Sequence, residues 1–128
     1  MESVKERAYE FLLKYSLSTI LQNFLQLGGK GIGFKIYTYD EKREFIEESG
    51  LNEYAENHLA FTMEVRNQVN IFYNRNIATS ERDFVIGHEI GHAVLGHTSY
   101  KGILGKSKDK KVEAMQEKEA DAFALSLF

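Results

Sequence analysis

The sequence has no cysteine and no proline in its 128 residues. Without cysteine there can be no disulfide and no thiolate metal site, so any metal must be held by His, Asp or Glu. Without proline, turns fall to Gly, Asn, Asp and Ser. Basic charge is also scarce. The 16 Lys and Arg stand against 19 Asp and Glu, a net charge of −3, which argues against a direct nucleic-acid binder with its clustered basic patch. No apolar run approaches the ~20 residues that span a bilayer. The start Met1-Glu2-Ser3-Val4-Lys5-Glu6-Arg7 lacks the basic opening and apolar stretch of a signal peptide. These absences predict a cytosolic protein without membrane contact, and the length suits one domain over 1–128.

Periodicity outlines the elements. Val4, Ala8, Phe11, Leu12, Tyr15, Ile20, Phe24 and Leu27 recur at helical spacing and predict a helix over 2–27. The glycines of 28–33 end it. They do not form a phosphate loop, which needs a preceding strand and a Lys-Ser or Lys-Thr pair. Residues 34–39 alternate and read as a strand, 41–49 as a short helix, and 51–54 as irregular. Two runs, 59–65 and 69–73, flank a polar turn at Arg66-Asn67-Gln68 and read as a hairpin. Ser80 is the expected N-cap of a helix over about 81–97, with Glu81 and Asp83 in its first turn. Residues 98–110 are polar and read as a loop. The basic stretch from Lys106 to Lys111 reads as a solvated or partner-facing surface. A last helix over about 111–127 places Ala120, Phe123, Ala124 and Leu127 on one face.

The chemistry centres on His88-Glu89-Ile90-Gly91-His92, the pattern H-E-x-x-H. Residues four apart lie on the same face of a helix, so both imidazoles can reach one metal ion. Glu89 is rotated by about 100° from His88 and is free to act as a general base toward a water molecule. Zinc lowers the pKa of such a water to about 7. A helix with two solvated histidines would leave Gly87 and Gly91 unexplained, since each costs about 1 kcal/mol in a helix interior. Small residues there let another element come close.

A catalytic zinc site takes three protein ligands and leaves one position open. A third histidine in the pattern H-E-x-x-H-x-x-G-x-x-H is excluded, because Gly96 and His97 are each displaced by one position. Two readings of His97 remain, as a lining residue of the cleft and, the favoured one, as a partner of the free carbonyls or the dipole at the helix end. The last helix offers Glu117, Glu119 and Asp121. Glu119 is the leading candidate, because Ala120 permits close packing and Phe123 continues its face into the core. Glu117 and Asp121 compete with it. Tyr73, Tyr100 and His58 are possible donors to an oxyanion, and nothing in the sequence separates them.

Three stretches together carry a resemblance. These are the strand Val69–Tyr73, the run from Arg82-Asp83-Phe84 through H-E-x-G-H to His97, and Glu117-Lys118-Glu119-Ala120-Asp121-Ala122-Phe123-Ala124. In these the chain resembles the ImmA/IrrE-type metallopeptidases over roughly its second half. Where relatives continue into a Leu-Leu-Met-Pro-like end, this chain reads Ala124-Leu125-Ser126-Leu127-Phe128. The resemblance implies one zinc ion on His88, His92 and Glu119, with Glu89 as general base. It also implies a protein substrate, a helix-turn-helix transcriptional repressor of a mobile element or stress response.

The expectation is therefore an α+β, zincin-like domain. A small antiparallel or mixed sheet of about three strands packs on the H-E-x-x-H helix, and the C-terminal helix closes the metal site. The expected function is that of a zinc-dependent cytosolic endopeptidase. The alternative is a metal-stabilised binding module that neutralises a repressor or toxin without cutting it.

Overall fold

A computed structural model describes residues 3–14 and 34–127. Helix α1 (Val4–Lys14) is the start of the helix expected over 2–27. The rest of that helix and the turn at 28–33 lie outside the described residues. Strand β1 (Phe34–Thr38) follows, then a 3-10 turn at Asp40–Lys42 and helix α2 (Arg43–Glu48). Residues 51–54, expected to be irregular, instead open helix α3 (Asn52–Asn57). It has only six residues, too few to show a 3.6 period, and burial of Ala55 seats it.

Strands β2 (Ala60–Val65) and β3 (Gln68–Tyr73) form the expected hairpin, antiparallel and in register from Ala60↔Tyr73 to Val65↔Gln68. Its loop is two residues rather than three. Arg66 and Asn67 both take positive φ, 53° and 64°, the twist a two-residue hairpin needs. Helix α4 (Thr79–Val94) carries the H-E-x-x-H motif. It begins earlier than expected, and its N-cap is Ala78 with no side-chain cap, so Ser80 lies inside it.

The segment read as a loop contains two more short strands, β4 (Ser99–Tyr100) and β5 (Ile103–Leu104). They pair as Ser99↔Leu104 and Tyr100↔Ile103 around Lys101-Gly102, again at positive φ. Two-residue strands carry no alternation to read. Helix α5 (Lys110–Ser126) starts at Asp109, whose carboxylate accepts from the Lys111 and Val112 amides.

The architecture is α+β, as expected, but the sheet is larger. Five strands run in the order β1-β3-β2-β5-β4, with β1 parallel to β3 and the other pairings antiparallel. Strand alternation sends neighbouring residues to opposite faces. On one face Ile71 joins Ala8, Phe11, Phe34, Ile86, Ile90, Phe123 and Leu127, burying α1, α4 and α5 against the sheet. On the other, Phe61 and Phe72 join Ile46, Ala55 and Ile103 beneath α2 and α3. Phe11 sits edge-on to both Phe34 and Phe123, at 6.0 and 5.9 Å. No helix among the described residues is long and apolar enough to cross a membrane.

Candidate metal centre

Close packing of α4 on α5 builds the centre. A Cβ on Gly91 would meet Phe123 at 3.1 Å, and one on Gly87 would meet Ala124 and Leu127 at 3.3 Å. The two glycines thus give the close approach expected of them. Each helix then offers an i, i+4 pair to the other: His88 and His92 from α4, Glu117 and Asp121 from α5.

Among the described residues, His88, His92 and Glu117 each place one ligand atom within 4.8 Å of the others. The two Nε2 atoms are 3.1 Å apart. Glu117 Oε2 lies 3.1 Å from His88 Nε2 and Glu117 Oε1 lies 3.2 Å from His92 Nε2. Three donors on one tetrahedral zinc at about 2.0–2.1 Å would be spaced by about 3.3 Å. The donor set, two imidazoles and a carboxylate, is that of a catalytic zinc site, and its spacing fits one ion.

The cluster is electrostatically coupled. Burial opposes charge on His88. Its bond to Glu117, the charge of Glu89 and its bond to Asp121 outweigh that and raise its pKa above the ordinary histidine value. Burial likewise pushes Glu117 up, but hydrogen bonding to both histidines holds its carboxyl well below the usual carboxylate range. Glu89 is buried on the α4 face toward the sheet. Thr62 of β2 donates to its Oε1 at 2.7 Å. Burial raises the Glu89 pKa, opposed by His92, His88 and the Thr62 hydroxyl. A carboxylate so raised is a better proton acceptor near neutrality.

A model of the peptidase family described as IrrE N-terminal-like domain matches residues 40–128, well over half of the chain. The chain belongs to this family. Neither the curated proteins nor the solved structures give a match. The IrrE-like match spans α2 to the C-terminal helix, so it includes both helices of the metal cluster.

Within this IrrE-like domain, the expected site residues separate into two groups. His88, His92 and Glu89 stand together as the motif predicts. Glu119 does not join them, for its Oε1 accepts from His97 Nε2 at 2.9 Å. The reason is helix rotation. Residues 117 and 119 are about 200° apart, on opposite flanks of the buried stripe formed by Gln116, Ala120 and Phe123. Glu117 faces the cluster and Glu119 faces His97.

His97 is not at the end of α4 as expected. The helix stops at Val94, and Gly96 turns the chain with φ 68°. Gly96 N–H then bonds Ala93 O, and His97 N–H bonds His92 O, the two bonds of a Schellman ending. That turn brings His97 Nδ1 to 2.9 Å from His92 Nδ1. With His97 Nε2–H donating to Glu119, its Nδ1 accepts from His92 Nδ1–H. His92 Nε2 is left facing the cluster, 3.1 Å from His88 Nε2 and 3.2 Å from Glu117 Oε1. His88 is oriented the same way, its Nδ1–H donating to Asp121 at 2.7 Å. Such partners fix the tautomer and angle of metal-binding histidines.

Two further residues went unnoticed in the sequence. Gly105, at φ 89°, lies flat on the His92 ring, where a Cβ would meet ring atoms at 2.4–2.7 Å. Gln116, buried on α5, holds it there. Its Nε2 donates to Gly105 O, and its Oε1 accepts from Thr98 N–H. Among the tyrosines, burial raises the pKa of Tyr54, and the charges of Glu89 and Glu117 add to it. The Tyr39 hydroxyl is already committed to His58 O.

Proposed function

We propose that the chain is a zinc-dependent endopeptidase whose zinc is held by His88, His92 and Glu117, with Glu89 as the general base. The convergence of the two imidazole Nε2 atoms, 3.1 Å apart, with the two oxygens of the Glu117 carboxylate at 3.1 and 3.2 Å from them, and a buried carboxylate one residue from His88, carries this reading. A bound zinc ion would supply Lewis acidity toward a carbonyl oxygen and toward water. The rest falls to this chain's own residues. Thr62 occupies Glu89 Oε1 and so leaves Oε2 to take the proton of the attacking water. The same carboxyl then delivers that proton to the departing amine. Burial and the Glu89 charge keep Tyr54 protonated, and we assign its O–H as the donor to a developing oxyanion, since the Tyr39 hydroxyl is committed to His58 O. The ImmA/IrrE resemblance supplies the substrate class, a helix-turn-helix repressor in the same cytosol.

The test is Glu89→Gln. Zinc content is expected to be unchanged, because Glu89 binds no metal. Cleavage of a repressor substrate, followed by mass spectrometry, is expected to fall by roughly 10²–10⁴-fold. A variant that cuts as fast as wild type would remove Glu89 from the chemistry. Intact repressor that nevertheless loses DNA binding would instead favour the non-cleaving module.

A further inference from the structure

A cleft of about 480 Å³ opens beside the metal centre, between α3, the β4–β5 hairpin and the start of α5. Its lining includes Lys106, the neighbour of Gly105 that lies against the His92 ring, and Glu113, one turn before Glu117 on α5, so the cleft and the cluster adjoin. Its rim carries Lys101, Lys106, Lys108 and Lys110. In a chain of net charge −3 this is a local reversal of sign. Glu113 is the one acid on the lining. It is already engaged by the Ser107 amide at 3.1 Å and by Lys110 at 3.9 Å. Lys101, Lys106 and Lys108 have no acidic partner among the described residues.

The fold holds these lysines in place. Lys101 occupies the tip of the β4–β5 turn at φ 54°. Lys106 follows Gly105, which Gln116 pins over His92. Lys101 and Lys108 flank the Tyr100 ring at 5.5 and 5.7 Å, and Lys106 lies 5.8 Å from the Tyr54 ring. Tyrosine faces and lysine ammonium groups thus form a floor and a rim. Like charges so gathered repel each other unless an anion lies between them.

We infer that this cleft receives an acidic segment of the peptide substrate, its Asp or Glu side chains between the lysines, beside the metal centre. The inference rests on the peptidase reading for the identity of the occupant. The net negative chain and the small, tyrosine-floored cleft favour an extended acidic peptide over a nucleic-acid backbone, which needs a longer basic track.

The experiment uses the full chain, zinc-loaded and carrying E89Q so that nothing is cut. Two fluorescein-labelled decapeptides are compared by anisotropy, one with four glutamates and its twin with four glutamines. The glutamate peptide is expected to bind roughly tenfold more tightly at low salt, an advantage that shrinks as salt screens it. K106A/K108A is expected to abolish the difference while zinc content and melting temperature stay at their E89Q values. K106R/K108R is expected to retain it. Equal binding of the two peptides would overturn the inference, as would tighter binding of a single-stranded oligothymidylate of matched charge. Wild type that cuts peptides without acidic preference would overturn it too and leave the peptidase reading standing. Acidic preference in binding without any cutting would remove the peptidase reading and keep the acidic cleft.

Discussion

His88 and His92 lie one turn apart on α4 and face the same point, yet their supports differ. His88 is 14% exposed and donates to Asp121, itself 54% exposed. His92 is 3% exposed, donates to His97, which is 5% exposed, and has Gly105 flat against its ring. One histidine is held by a charged partner that water screens. The other is held by packing and by a neutral imidazole, whose pKa burial pushes below the ordinary value. A hydrogen bond out of water is worth more than one in it, because neither partner has a ready replacement. The buried side is thus the rigid half of the centre, and the exposed side is the half that can adjust.

That contrast can be broken first at Gly105. Gly105→Ala would place a methyl group inside the His92 ring and put a non-glycine residue at φ 89°. It is expected to cost about 2–4 kcal/mol of stability in urea denaturation and to weaken zinc binding more than any other change outside the ligands. An unaltered denaturation midpoint would show that the hairpin does not pin His92. A smaller effect is expected from the partners themselves. His97→Ala should lower zinc affinity by roughly 10–100-fold in a chelator competition. Asp121→Ala should sit at or below about tenfold, since its bond is screened. The reverse ranking would mean that the exposed carboxylate, not the buried relay, carries the orientation.

Much of this centre could be read before the structure. The H-E-x-x-H spacing, the two helix glycines and the small residues of α5 all state their role through one helical period. The hairpin of β2 and β3 shows in its alternation. What escaped lies below the length at which periodicity exists: six residues for α3 and two each for β4 and β5. Gly105 gave no sign, because its role depends on a ring contributed by another element. The position of Glu117 in the cluster is legible in its i, i+4 pairing with Asp121, which mirrors His88 and His92, whereas the small Ala120 points to Glu119. The end of α4 was missed for a different reason. Gly96 breaks the helix through its φ, and only the resulting turn brings His97 back to His92.

The most direct test of the centre is a zinc titration of the wild-type chain beside Glu117→Gln and Glu119→Gln. Wild type is expected to bind one zinc ion. Glu117→Gln should lose affinity by at least ~100-fold, as befits a lost anionic ligand. Glu119→Gln should lose about tenfold or less, because its side-chain oxygen can still accept from His97. Loss of zinc in the Glu119 variant with retention in the Glu117 variant would contradict the assignment outright.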